Sequence, residues 1–162
     1  MLKLIVCTAK NNLIGDKNPQ GNGLLWHSKS ELLHYKNLTL NNIVLFGKTT
    51  ANVVPIELMK KTREVVILDR DTDINKILHH GISSNKDIFI CGGLTIYEYF
   101  LKYFQIDKII ISRLKDHITV EKPITPLYFP DVLNYGYILK NRAEHDDFFV
   151  ETYIKEDIHV KV

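Results

Sequence analysis

The sequence predicts a single α/β domain over residues 1–162, with a mixed, mostly parallel central sheet, helices on both faces and an antiparallel strand pair at its end. Apolar runs of strand length alternate with segments of helical periodicity, which is typical of α/β folds. The early runs are apolar throughout, as in parallel strands that are covered on both faces. A short polar turn separates the last two runs, so these should pair as a hairpin.

Composition excludes several classes of protein. The chain has 162 residues, 45% hydrophobic and 25% charged, and its net charge of +2 is too small to predict nucleic-acid binding. No apolar run approaches the roughly 18 residues of a membrane span, and the run Leu4 to Ala9 is too short for a signal peptide. We therefore expect a cytoplasmic protein with no membrane partner. Cys7 and Cys91 lack metal-ligand spacing, which predicts reduced thiols and no metal site.

Three apolar runs predict the first strands of the sheet. Leu2 to Ala9 is nearly continuous and rich in branched residues, and Asn42 to Gly47 and Glu64 to Leu68 follow the same pattern. Asn11 to Gly23 holds three glycines, a proline and four asparagines. This segment should be a long loop, and loops of that length usually serve a function or lack order.

The stretch from Leu24 to Leu40 contains the best candidate for catalysis, Glu31. Leu32 and Tyr35 share an apolar helical face, and a carboxylate at its edge would be partly desolvated, with a raised pKa. However, Ser28 and Glu31 also have the spacing of a capping box, in which the glutamate only satisfies a backbone N–H. Taken alone, the stretch favours the cap, because such boxes are commoner than catalytic acids; both roles stay open here.

Two short helices are predicted from their end residues. Lys48 to Thr50 opens a helix after the second strand, and Pro55 keeps this helix short. Its first N–H groups and hydroxyls either hold an anion or simply cap the helix. Asp73 begins a further helix, whose C′ residue should be Gly81.

Paired glycines mark the next junction between a strand and a helix. Ile88 to Gly93 is a strand that runs straight into them, and Leu94 to Phe104 has aromatic residues at helical spacing. Two glycines let a backbone approach a ligand closely, and the helix N-terminus would point at a phosphate. The pattern is not the full G-x-G-x-x-G fingerprint and is weak evidence alone.

The remaining strands complete the sheet. They are Lys108 to Leu114, about Tyr135 to Arg142, and Phe148 to Lys155, with Glu144 to Asp147 as the last turn. Ligands of parallel sheets bind at the carboxyl ends of the strands. The groups that should meet at this edge are Thr8-Ala9, Gly47 to Thr50, Asp69-Arg70, Gly92-Gly93 and Ser112.

Together these motifs resemble the dihydrofolate reductase family along nearly the whole chain. After an apolar first strand come Ile14-Gly15, Trp26, and an acid five residues later at Glu31. The further matching motifs, in order, are Phe46-Gly47-Lys48-Thr49-Thr50, Arg63 before the third strand, Asp69-Arg70, Cys91-Gly92-Gly93 with Ile96-Tyr97, and Tyr128-Phe129-Pro130. Each motif is weak alone, but their order and spacing make a strong signal.

The resemblance implies a monomeric, NADPH-dependent reductase that acts on a small molecule, dihydrofolate, with hydride transfer to C6 and protonation at N5. Glu31, Trp26 and Ser112 would serve catalysis, and Arg63 would bind the carboxylate of the substrate's glutamate. The residues lining the substrate pocket would be Ile5, Cys7, Glu31, Leu32, Tyr35, Arg63, Cys91, Tyr97 and Ser112. The cofactor would contact Cys7, Ile14, Gly15, Lys48, Thr49, Thr50, Asp69, Arg70, Gly92, Gly93, Leu94, Thr95 and Ile96.

Some positions depart from the family pattern. Leu25 stands where a proline usually precedes the tryptophan, the loop before Leu24 is longer, and Lys48 replaces an arginine. Thr125-Pro126-Leu127 replaces the usual Gly-Asp-Thr. We therefore expect altered loop geometry and weaker cofactor affinity.

Two other functions are compatible with much of the same pattern. One is an NADPH reductase of another pterin or of a riboflavin precursor, against which Glu31 and Arg63 argue. The other is a binding protein that keeps the nucleotide pocket without catalysing.

Overall fold

The computed structural model describes residues 1–156, so the last six positions of the expected domain, 157–162, lie outside the described residues. Its nine strands are β1 Leu2–Thr8, β2 Leu13–Asp16, β3 Ile43–Gly47, β4 Glu64–Leu68, β5 Ile88–Ile90, β6 Lys108–Leu114, β7 Pro126–Tyr128, β8 Tyr137–Glu144 and β9 Phe148–Lys155. Its five α-helices are α1 Lys29–Thr39, α2 Lys48–Ala51, α3 Ile56–Met59, α4 Ile74–Ser83 and α5 Leu94–Tyr103, and two short 3-10 helices span Lys10–Asn12 and Val132–Tyr135.

Seven of the strands form one sheet in the order β4-β3-β5-β1-β6-β9-β8. The pairs from β4 to β6 are all parallel, whereas β9 runs antiparallel to both β6 and β8. The predicted mixed, mostly parallel sheet with a final antiparallel pair is thus confirmed. Strand β1 lies at the centre of the sheet, and its residues Ile5 to Cys7 line the cleft at the carboxyl ends of the strands. Thr8 and Ala9 were predicted at the same edge, but they line a separate hollow with Asn12 and Arg113.

The sheet buries a separate apolar cluster on each face. On one face, Leu4 and Leu45 of the strands pack with Phe100 of α5, and residues of α4 cover the same cluster. On the other face, Val44 and Phe46 are covered by residues of α1, α2 and α3. Alternate residues of the central strands supply the two clusters, which explains why these strands are apolar throughout. Helices on both faces are therefore confirmed.

The predicted loop from Asn11 to Gly23 contains a strand that the sequence pattern did not show. Strand β2 pairs antiparallel with β7, and Asp16 accepts hydrogen bonds from Ile124 N at 2.8 Å and Thr125 N at 3.3 Å. The loop prediction is therefore wrong for residues 13–16. Both strands are short and contain glycine or proline, which masks the period-2 pattern of a strand.

The predicted C′ role of Gly81 is also wrong. Gly81 is buried inside α4, and a Cβ there would lie 2.7 Å from Ile88 Cδ1. The glycine is needed for close packing of the helix on β5. The helix ends at Ser83 with Ser84 as its C-cap, and Asn85 takes the left-handed conformation with a φ of 54°.

Candidate active site

A cleft of about 1700 Å³ opens at the carboxyl ends of the parallel strands. Every predicted site residue except Ser112 lines it. These residues are Ile5, Cys7, Ile14, Gly15, Trp26, Glu31, Leu32, Tyr35, Lys48, Thr49, Thr50, Arg63, Asp69, Arg70, Cys91, Gly92, Gly93, Leu94, Thr95, Ile96 and Tyr97. The fold thus brings together residues that are far apart in sequence.

Glu31 lies in the first turn of α1, where both of its predicted roles can be compared. Ser28 is the N-cap, and its Oγ accepts a hydrogen bond from Glu31 N at 3.2 Å. In the described part of the chain, the Glu31 carboxylate makes no return hydrogen bond to Ser28 N, so the capping box is only half formed. The side chain lines the cleft instead and is 7% exposed. Ser28 therefore caps the helix, and the Glu31 carboxylate is free to contact a ligand in the cleft.

Burial raises the pKa of Glu31 from 4.5 to about 7, although the neighbouring Ser112 hydroxyl and Cys7 thiol partly oppose the rise. Ser112 lies beside Cys7, which is its partner in the register of β1 and β6. Ser112 is buried beneath the cleft rather than lining it, and within residues 1–156 its Oγ has no hydrogen bond of good geometry. Glu31 can therefore gain or lose a proton near neutral pH, next to an unsatisfied hydroxyl.

The thiols in the cleft are uncharged at neutral pH. Burial raises the pKa of Cys91 to about 12, and burial and the neighbouring Glu31 raise that of Cys7 as well. Tyr97 donates a hydrogen bond to Ile5 O at 2.8 Å and packs edge-on against Phe129. These residues therefore form a close-packed floor and do not supply a nucleophile.

Arg63 lies just before β4 with its guanidinium over the ring of Tyr35, 5.7 Å from the ring centroid. Its Nε is buried and has no hydrogen-bond partner among the described residues. A buried N–H donor without an acceptor costs free energy. This group is therefore suited to a ligand that supplies an acceptor. A carboxylate matches the planar fork of an arginine.

A second part of the cleft is built from glycines. Gly47 N donates to Gly92 O at 2.9 Å, and a Cβ at Gly93 would lie 3.0 Å from Thr50 Oγ1. Gly92 has a φ of 125°, a backbone conformation that residues with a side chain rarely adopt. Gly93 is the N-cap of α5 and offers no side chain to its first N–H groups, which leaves them available to an anion.

Cationic side chains stand beside this glycine cradle. Lys48 begins α2 and is exposed, as is Arg70 in the loop after β4. Neither forms an ion pair with another described residue. Asp69 instead stabilises its own loop, accepting from Asp71 N at 2.8 Å and from Thr72 Oγ1 at 3.0 Å. The arrangement leaves two positive charges for anionic groups of a ligand.

Sequence analysis missed part of the apolar wall. Leu24 precedes α1, Leu58 and Met59 belong to α3, and Leu127 lies in β7; all of them line the cleft. Helix α3 was not predicted because it is only one turn long. The apolar pair Ile56 and Met59, at i, i+3 spacing directly after Pro55, was the available signal.

Residues 1–156 contain neither a cluster of metal-binding side chains nor a membrane-spanning helix. No three His, Cys, Asp or Glu side chains there are grouped so that they could hold a metal ion. None of the helices in that part of the chain has the length and apolar character needed to cross a membrane.

Comparison with known proteins gives a consistent result. The model of the family described as "Dihydrofolate reductase" matches residues 1–153. Dihydrofolate reductase of Ureaplasma parvum serovar 3 is 30% identical over 94% of this chain and 96% of its own length. That of Mycoplasma genitalium is 27% identical over 96% of this chain and 99% of its own length. That of Mycoplasma pneumoniae is 30% identical over 75% of this chain and 81% of its own length. On these matches, the chain belongs to the dihydrofolate reductase family of oxidoreductases.

Proposed function

We propose that this enzyme reduces 7,8-dihydrofolate to 5,6,7,8-tetrahydrofolate with NADPH as the hydride donor. The observation that carries the proposal is Glu31, a buried carboxyl group in the cleft with its pKa raised to about 7. Proton transfer at neutral pH is most effective when the pKa of the acid is near the working pH. The neighbouring Ser112 hydroxyl, which has no hydrogen-bond partner among the described residues, would bond to the same edge of the ligand.

The substrate would lie along α1, between Glu31 and Arg63. The amino-pyrimidine edge of the pterin offers N–H donors to the Glu31 carboxylate, and N5 is the atom that receives a proton. Leu32 and Tyr35 would pack on the middle of the substrate, since both line the cleft. The partnerless Nε of Arg63 would donate to the carboxylate of the glutamate tail.

The residues at the glycine end fit a dinucleotide phosphate carrier. Gly92 to Ile96 would hold the pyrophosphate, since the first N–H groups of α5 are uncapped. Lys48, Thr49, Thr50 and Arg70 would hold the remaining phosphates, with Asp69 shaping their loop and Arg70 favouring the 2′-phosphate. When bound, NADPH supplies a hydride from nicotinamide C4.

The remaining cleft residues would orient and shield the reacting rings. Ile14 and Gly15 belong to β2, and pairing with β7 holds this strand over the cleft. Trp26 is buried, and with Ile5 it would keep water from Glu31 except where a proton must pass. Cys7 and Cys91 would contribute apolar contact as uncharged thiols. The expectations of a cytoplasmic location, a monomer and a domain that spans 1–162 stay predictions.

The test is loss of NADPH absorbance in the presence of dihydrofolate, with wild type and the Glu31→Gln variant. Gln can still serve in a cap, so a purely structural Glu31 would tolerate this change. We expect single-turnover hydride transfer by the variant to collapse at neutral pH and to recover as pH falls, because solvent then protonates N5. The exposed Glu98→Gln is the matched control. No turnover by wild type would refute the proposal, and a Glu31→Gln profile parallel to wild type would refute the role of Glu31.

A further inference from the structure

The turn between β8 and β9 is tied to the beginning of α1 through one carboxylate. Asp147 Oδ2 accepts hydrogen bonds from Ser28 Oγ at 2.8 Å and Ser30 Oγ at 2.9 Å. The other oxygen, Oδ1, lies 3.2 Å from His117 Nε2. The turn itself is held because Lys115 N donates to Asp147 O at 2.8 Å. Thus Asp147 lies on a fixed turn and contacts the helix that carries Glu31.

The hydrogen bonds of Ser28 have a definite direction. A hydroxyl has one proton to donate and two lone pairs that accept. Because an ionised carboxylate only accepts, the Ser28 proton points to Asp147, and an Oγ lone pair is left to accept from Glu31 N at 3.2 Å. Ser28 is only 4% exposed, which limits competition from water for its hydrogen bonds. Asp147 therefore acts on the backbone of Glu31 through a single intervening side chain.

We propose that Asp147 is a positioning residue for Glu31: by orienting the Ser28 hydroxyl, it fixes the first turn of α1 and holds the Glu31 carboxyl group at its buried place in the cleft. This role rests on the proposed function, because it gives Glu31 the task of proton delivery. It also accounts for two serines in the first turn that both donate to the same distant aspartate.

The charge on Asp147 is constant over the pH range in which Glu31 titrates. Hydrogen bonds from Ser28, His117 and Ser30 hold the pKa of Asp147 below its usual range. The other ionisable groups on the packed elements include Lys29, His34 and Lys36 of α1, Asp116 beside His117, and Glu144, His145 and Asp146 of the turn. The rings of His34 and His145 are 5.5 Å apart, and Lys115 pairs with Glu144. Each variant is therefore compared with wild type at every pH.

The experiment uses the full chain with Asp147→Ala and, as matched control, Asp146→Ala. Asp146 lies on the same turn, is exposed, and forms no hydrogen bond or ion pair with a described side chain. The readouts are the pKa of the Glu31 carboxyl group by NMR in the ligand-free protein, single-turnover hydride transfer from pH 5 to 9, and a thermal melt. Asp147→Asn is a second variant that keeps one acceptor oxygen and so protects the fold.

With Asp147→Ala, the first turn of α1 loosens and water reaches the Glu31 carboxyl group. We expect its pKa to fall from about 7 towards 4.5 and hydride transfer at neutral pH to fall about tenfold, with a smaller change in KM. Asp147→Asn should lie between this variant and wild type. Ser28→Ala should have a similar effect, and the double variant should be no slower than the slower single variant, because both changes break one chain of contacts.

A Glu31 pKa and pH profile equal to those of wild type in both Asp147 variants would overturn the positioning role, even if the melting temperature falls. Equal effects of Asp147→Ala and Asp146→Ala would also overturn it, because charge alone would then be responsible. If wild type itself does not turn over, the proposed function fails, whereas the NMR measurement still reports whether Asp147 positions Glu31.

Discussion

At the scale of single residues, the catalytic role proposed for Glu31 conflicts with stability. The native state holds the Glu31 proton up to a pH of about 7, whereas the unfolded chain releases it near 4.5. Between these values the native state binds more protons, so the free energy of unfolding falls as pH rises. The stabilisation is complete below about pH 4.5 and is lost above about pH 7. The pKa difference sets an upper value of about 3 kcal/mol on the free energy of unfolding that is lost over this pH range.

Glu31→Gln should therefore stabilise the ligand-free protein more at pH 8 than at pH 5. Gln is neutral at both pH values, so the variant escapes the cost of burying a carboxylate, which wild type bears only at the higher pH. We expect the difference in melting temperature between variant and wild type to be several degrees larger at pH 8. Differential scanning calorimetry at both pH values measures it, and Glu98→Gln is the control. A difference that does not depend on pH would show that Glu31 titrates normally.

Arg63 should act on substrate binding and not on the chemical step. The carboxylate that it would contact is remote from the reacting atoms, so the interaction is the same in the ground state and in the transition state. Arg63→Leu should raise the KM for dihydrofolate roughly 10- to 150-fold, the equivalent of about 1.5–3 kcal/mol, with kcat little changed. Arg63→Lys should recover only part of this, because it lacks the planar fork. Steady-state kinetics decide, with the exposed Lys61→Leu as control; an unchanged KM contradicts the assignment.

At the scale of elements, sequence patterns predicted the strands that are buried on both faces and missed the short strands that only pair with each other. Strands β4 and β6 have their predicted bounds and β3 differs by one residue, because strands covered on both faces are continuously apolar. Strand β5 ends at Ile90, short of the glycines to which it was predicted to run. The β2–β7 pair was missed, because strands of four and three residues with glycine or proline show no alternation.

The same division applies to the site. The motifs that follow β3, β4 and β5 meet in the cleft, since strand order brings those carboxyl ends together, whereas Thr8, Ala9 and Ser112 do not line it. The apolar wall from α3 and β7 depended on elements too short to predict. The tie from Asp147 to Ser28 joins residues 119 positions apart, and no local pattern shows such a contact.

Gly81 offers a test of the packing between α4 and β5. An alanine would gain about 0.5–1 kcal/mol in helix propensity, but its Cβ would lie 2.7 Å from Ile88 Cδ1, and overpacking of this kind costs about 1–3 kcal/mol. We expect Gly81→Ala to destabilise the protein by about 1 kcal/mol in urea denaturation. Ile88→Val removes Cδ1 and should cost about 0.5–1.5 kcal/mol in wild type. Combined with Gly81→Ala it should cost less, or nothing, because the added methyl group occupies the space that Cδ1 leaves. Strictly additive effects would mean that the two residues do not touch.

At the scale of the whole molecule, the sheet makes one cleft with two chemically different ends. The α1 end holds the buried Glu31 and the partnerless Arg63, and the α5 end holds the glycine cradle with Lys48 and Arg70. The net charge of the chain is only +2, so recognition of anionic ligands depends on where these cations lie and not on their number. Because the ends are built on different strands, each should lose its own ligand independently of the other.

This independence can be measured as ligand-induced stabilisation. A ligand that binds only the native state at about 100 times its Kd adds about 2.7 kcal/mol, which for a chain of this size raises the melting temperature by about 5–10 °C. Arg63→Leu should abolish most of the shift with dihydrofolate and keep the shift with NADPH. Arg70→Ala should show the reverse, and it should leave the shift with NADH unchanged, because NADH lacks the 2′-phosphate that Arg70 would bind. If both variants weaken both ligands equally, the cleft responds as one unit, and the assignment of its two ends is wrong.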